Sequence, residues 1–201
     1  GKITTGSNTV GDPGDRKIIG NETPRYQVGI TLGADWNGFD FRAFFQGVCK
    51  RDIWLDGNFF WGAVDGGIWQ SIGYKEHFDY FRPEGDDMGA NLNAYFPKPY
   101  FDANATKNHK TQSGYLQSAA YLRLKNLTVG YTIPATLTKK AGIDQIRVYF
   151  SGENLAYWSP LKKNTKYVDP EAAINRSSHA EFNRVYYPWP KTFMFGIDVT
   201  F

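Results

Sequence analysis

The chain has 201 residues and one cysteine, Cys49. A lone thiol excludes an internal disulfide framework and any cysteine-based metal site. No uninterrupted apolar run approaches the ~18 residues of a membrane-spanning helix. Charge of neither sign prevails: 23 Lys and Arg stand against 20 Asp and Glu, a net +3. The basic residues are scattered and no run of them tracks a phosphate backbone, so a nucleic-acid partner is not implied. Histidine is scarce. His77, His109 and His179 lie far apart, without metal-ligand spacing. No Ser-His-Asp, Walker or dinucleotide motif occurs, so no catalytic residue, cofactor or metal is assigned. Asp86-Asp87 and Asp169-Pro170-Glu171 offer oxygen ligands but lack the spacing of a calcium loop, and they read as solvated turns.

Aromatics (17%) and 21 glycines are what the chain has in plenty. That mixture suits an all-β protein with long aromatic loops. From Arg25 to Trp36, Tyr26, Val28, Ile30, Leu32, Ala34 and Trp36 alternate with Gln27, Gly29, Thr31, Gly33 and Asp35. Strict period two places one face in an apolar medium and the other in a polar one. Asn37-Gly38 then supplies the type I′ dipeptide of a tight hairpin. The partner strand, 39–47, alternates Phe39, Phe41, Ala43 and Phe45 with Asp40, Arg42, Phe44 and Gln46.

Three further strands are expected, over 119–133, 145–155 and 191–201. In the first, the apolar set changes phase at Asn126, from Leu122 and Leu124 to Leu127, Val129 and Tyr131, which is the mark of a β-bulge. Residues 48–118 and 156–190 read as long irregular connections. A short helix is expected within Ile68–Phe81, ended by Pro83 and Gly85. Ala135–Gly142 reads as a turn or a single helical turn.

If consecutive strands are antiparallel, the connections sort by side. Asn37-Gly38 and Pro134–Asp144 are short and fall at one end. The two long connections fall at the other, and the C-terminus lies at the short-turn end. This is the layout of outer-membrane barrels. Charges, moreover, keep to one face of every strand: Asp35, Asp40, Arg42, Arg123, Lys125, Arg147 and Asp198. A lipid-facing Arg or Lys would cost roughly 2–4 kcal/mol at the bilayer midplane. A soluble sandwich, apolar inside and polar outside, produces the same alternation. Five strands cannot close a useful barrel, and an open sheet in lipid would leave two unpaired edges. The expectation is therefore antiparallel strands from the C-terminal part of a larger transmembrane β-barrel.

Several stretches resemble one family. PGDRKIIGNETPRYQVGITLGADWNGFDFRAFFQGVCKRDIW, YLRLKNLTVGYTIP, IRVYFSGENL, VDPEA and YPWPKTFMFGIDVTF, with HFDYFRPEGDDMGANLNAYFPK more loosely, are similar to the C-terminal barrel of SusC/RagA-type TonB-dependent outer-membrane transporters of Bacteroidota. The motifs occur in the family's order along almost the whole chain. Glu22 departs where Pro is common, and Cys49 departs where a small residue such as Gly is expected. The resemblance implies a barrel of about 22 strands with a plugged lumen and long extracellular loops, of which about 17 strands and the plug are not in this chain. It implies energised import of a bulky nutrient, an oligosaccharide or oligopeptide, with no bond chemistry. The implied partners are a SusD-like surface lipoprotein acting as a lid, TonB-ExbB-ExbD through parts absent from this chain, the remainder of the barrel, and outer-membrane lipid. The C-terminus would be periplasmic.

Three residue groups become candidate sites. Asp40, Arg42, Gln46, Arg123, Lys125, Arg147 and Asp198 are the polar residues expected to face the lumen. Phe193, Phe195, Ile197, Val199 and Phe201 resemble the terminal signature read by the barrel-assembly machinery, and they also suit a lipid-facing girdle. The loop aromatics Trp54, Trp61, Trp69, Tyr74, Phe78 and Tyr80 suit stacking on substrate or docking of the lipoprotein lid. The competing reading is that a long loop needs a core of its own. Alternatives for the whole chain are a soluble β-rich carbohydrate-binding module, in which Tyr26, Val28 and Ile30 would face a second sheet, and a passive outer-membrane porin.

Overall fold

A computed structural model describes residues 6–7, 9–55, 58–61, 73–100, 111–172 and 188–201. Five long strands form one antiparallel meander: β1 (Arg25–Trp36), β2 (Phe39–Lys50), β5 (Tyr121–Thr132), β6 (Gln145–Trp158) and β7 (Thr192–Thr200), in the order β1-β2-β5-β6-β7. The β1–β2 hairpin closes on Trp36 opposite Phe39. Asn37 (φ 47°) and Gly38 (φ 85°) both occupy the left-handed region that a type I′ turn demands. At the same end, Ala135–Thr138 makes one helical turn (α2) and Lys139–Ala141 a tighter 3-10 turn, closed by Gly142 at φ 71°.

Register confirms the phase change in β5 and shows more. Phe44 and Phe45 of β2 pair with Asn126 and Leu124, so Lys125 is an extra residue. Across the next ladder, Asn126 pairs with Glu153 and Leu124 with Ala156, so β6 carries two residues, Asn154 and Leu155, opposite Lys125. Asn154 sits at φ 53°. One extra residue flips the alternation of β5. Two extra residues leave the alternation of β6 unchanged, which hides its bulge from sequence periodicity.

The two faces of the sheet differ completely. One carries Val28, Ile30, Leu32, Phe39, Phe41, Leu122, Val129, Val148, Phe193, Phe195, Ile197 and Val199, all exposed. Phe195 is 84% exposed and Ile197 68%. Among the described residues nothing of this chain seals that face, contrary to what the sandwich alternative requires. No described helix is long and apolar enough to cross a membrane.

The buried apolar cluster lies in the connections, not under the sheet. A two-stranded ribbon, β3 (Asp52–Trp54) against β4 (Leu116–Ser118), draws the two ends of the first long connection together. Sequence periodicity misses it because three-residue strands are too short to show a period. On this stem Ile53, Leu55, Phe60, Trp61, Phe96, Ala119 and Leu161 pack into one core. Asn58–Trp61 forms a single helical turn (α1). Within the expected Ile68–Phe81 helix, Lys75–Phe78 is only a 3-10 turn, and residues 68–72 lie outside the described set. β2 and β6 run three residues beyond their expected ends.

Candidate functional site: the polar face and the loop groove

The second face of the sheet is polar, and its charged residues form two separate clusters. The first lies at the short-turn end. Asp40, beside the hairpin turn, accepts two hydrogen bonds from Arg147, at 2.6 Å from Nη2 and 3.1 Å from Nε. Arg147 Nη1 donates to Asp198 at 3.1 Å, and its guanidinium lies 4.8 Å from the Tyr149 ring centroid. The chain Asp40–Arg147–Asp198 thus spans β2, β6 and β7 and passes over Gly130 of β5. A Cβ at Gly130 would overlap the Asp40 carboxylate and the guanidinium, so this crossing needs glycine. Tyr149 likewise covers Gly196, an aromatic ring over a strand glycine. Arg42 makes only an exposed pair with Asp35 at 3.7 Å, a contact worth little.

The second cluster lies at the long-loop end. Arg123, 1% exposed, donates to Asp169 at 2.5 Å and pairs with Glu171 at 2.8 Å. Lys125, the bulge residue, reaches Glu171 at 2.9 Å. Asp169 is 4% exposed, so the reading of Asp169-Pro170-Glu171 as a solvated turn is corrected. Its carboxylate is buried against arginine, and 46 residues of separation concealed the pairing. Gln46 lies opposite Arg123. With Gln27, Arg51, Tyr121 and Glu171 it lines a hollow of about 540 Å³ that Pro24 and Val48 also border. Among the described residues no group of three or more metal-ligating side chains converges.

The aromatics of the first long connection divide. Trp61 is 5% exposed and packs edge-on to Phe60 (4.6 Å) and Tyr115 (4.9 Å). Trp54 meets Trp61 and Tyr115 at 6.3 Å, on the core side. Burial pushes the Tyr95 phenol up to about 12 and the Tyr167 phenol higher still. Trp61, Tyr74, Phe78 and Tyr80 line one groove of about 520 Å³, together with Phe96, Pro97, Pro99, His77, Lys75 and Lys98. Phe78 stands 67% exposed at its rim. His77 shapes the wall: Nδ1 accepts from the Tyr74 amide at 3.0 Å, and Nε2 lies 3.0 Å from the Phe60 carbonyl, an arrangement that the Nε2–H tautomer satisfies at both ends. Of the six named loop aromatics, four meet in the groove, Trp54 does not, and Trp69 lies outside the described residues. In the sequence His77 stands out only as a candidate metal ligand, and Pro97 and Pro99 not at all, because only folding brings 73–78 beside 96–99.

No family model matches the chain. It is similar to TonB-dependent receptor P3 of Formosa agariphila, with 29% identity over 193 residues, and to TonB-dependent receptor P39 of the same organism, with 26% over 194. Each alignment covers 93% of this chain and 17% of the relative, so the chain spans less than a fifth of the proteins it matches. Among solved structures, the RagAB peptide transporter superposes with a TM-score of 0.60, and the RagAB peptide importer in the "open-open" state with 0.58. Both are 26% identical and covered to 18%. A strongly two-faced meander with short turns at one end and folded loops at the other, matched along nearly its whole length by such receptors, fits the C-terminal barrel portion of a TonB-dependent receptor of the SusC/RagA type.

Proposed function

We propose that this chain supplies wall and external loops to an outer-membrane importer of a bulky nutrient, an oligosaccharide or an oligopeptide. The observation that carries the reading is the uncharged, exposed sheet face backed by one that holds all of the wall's charged residues. Such a wall is stable with hydrocarbon on one side and a watery or plugged lumen on the other. Asp40, Arg42, Gln46, Arg123, Lys125, Arg147 and Asp198 then face the lumen. Phe193, Phe195, Ile197, Val199 and Phe201 face lipid and serve as the assembly signal, with the C-terminus at the periplasmic end.

Tyr74, Phe78 and Tyr80 form the external recognition surface, for substrate or for a SusD-like lipoprotein lid, and the largely buried Trp61 backs it from the loop core. Trp54 supports them from behind, and Trp69 belongs to the same connection. Energy comes from TonB-ExbB-ExbD through other parts of the receptor, and no bond is made or broken. The RagAB neighbours, a peptide importer by name, favour oligopeptide. Deleting 58–81 from the full-length receptor is expected to weaken uptake or lid docking while membrane insertion persists. Loss of insertion would show that the loop is part of the wall's folding unit and would refute this assignment.

A further inference from the structure

The segment from Ser159 to Glu171 touches both the wall and the loop body. At its far end are the wall contacts already described, Asp169 and Glu171 on Arg123 and Lys125. Arg51, buried between β2 and β3, donates to the Pro170 carbonyl at 3.3 Å and the Glu22 carbonyl at 3.2 Å. The Trp189 amide donates to Asp169 at 3.4 Å, and the Trp189 ring lies 5.1 Å from Lys125 Nζ. At its near end Ser159 donates to the Ala120 carbonyl at 2.7 Å and caps the 3-10 turn Pro160–Lys163.

Between these anchors the same segment enters the loop body. Leu161 is 1% exposed in its core. Thr165 donates to Gln117 of β4 at 3.1 Å. Tyr167 stacks on Tyr74, a groove residue, at 4.1 Å and 8°. The loop body thus bears on the wall through a strap whose far end is held by buried charge. Carboxylates on the strap neutralise Arg123, and the strap in turn shapes the groove.

We propose that Arg123 and Lys125, with Asp169 and Glu171, form a latch, and that they are positioning residues for the aromatic groove. The latch holds the 159–171 strap against the polar face of β5, and the strap sets the groove's orientation through Tyr167 and Leu161. The latch gives the YLRLKN and VDPEA motifs one shared role: the first offers two cations from the wall, the second two carboxylates from the strap. Recognition by the groove rests on the proposed function, whereas the latch does not.

The test uses the full-length receptor, Cys49→Ser and free of other reactive thiols, with spin labels at Leu92→Cys in the loop body and Lys139→Cys on the short turn. Both sites are exposed. One narrow distance is expected in the otherwise unchanged receptor. Asp169→Asn with Glu171→Gln is expected to broaden the distribution at least twofold while heat-modifiable gel mobility still reports a folded barrel. Asp198→Asn, on the same face at the other end, leaves the width unchanged. An unchanged width in the folded double variant overturns the latch. If the double variant does not fold, Glu171→Gln alone is measured: partial broadening supports the latch, and an unchanged width or a lost fold overturns it. No substrate or TonB is present, so the outcome is independent of transport.

Discussion

Phe195→Arg tests the face assignment most directly. Phe195 is 84% exposed, on the uncharged face, midway along β7 and opposite Phe150 at 5.2 Å. A phenylalanine carries roughly 200 Å² of surface, so about 170 Å² meets the surrounding medium. At about 25 cal/mol per Å², seating that area in hydrocarbon contributes about 4 kcal/mol, of which an arginine stem recovers roughly half. The guanidinium adds a penalty of roughly 2–4 kcal/mol near the midplane. The expected loss is about 5 kcal/mol, between three and four tenfold steps in the folding equilibrium. Met194→Arg is the matched control. Met194 lies one residue away, on the polar face opposite Ser151, and its substitution is expected to cost less than about 1 kcal/mol. The assay is reversible unfolding of the full-length receptor in lipid vesicles, followed by heat-modifiable mobility. Equal losses for the two variants would refute the reasoning, because the medium on the two sides would then be the same.

Two further outcomes follow from the clusters. In a double-mutant cycle, Arg147→Gln and Asp40→Asn should show a coupling of about 1–2 kcal/mol, between the values for exposed and buried pairs, since both side chains are 23% exposed; additive losses would mean the bidentate contact is not stabilising. In the loop body, the raised folded-state values of Tyr95 and Tyr167 mean that the unfolded loop gives up its phenolic protons first, near pH 10. Loop stability is therefore complete below pH 10 and falls as pH rises from there to about 12. The absorbance titration at 295 nm, taken as the difference between the full-length receptor and its Tyr95→Phe variant, should have its midpoint near 12, and a midpoint near 10 would refute the burial of that phenol.

Much of the wall is legible in the sequence. Side chains in a strand alternate with period two, so the polarity of each face is written directly into every second residue. Arg25–Trp36 displays it without interruption, and Phe39–Gln46 with the one exception of Phe44. Asn37-Gly38 marked the turn because few dipeptides tolerate positive φ twice. The β5 bulge was visible because one extra residue reverses the alternation. The β6 bulge was not, because two extra residues restore it.

Periodicity fixed which residues share a face, but it said nothing about what covers that face. That required the fold, in which Phe195 and Ile197 stand bare while the apolar core gathers among the loops. The fold alone also paired Arg123 with Asp169 and Glu171, and Tyr74 with Tyr167. Local sequence records the φ preferences and the two-residue period, which act between neighbours. A buried charge finds its counterion across 46 residues, and only the closed loop brings the two together.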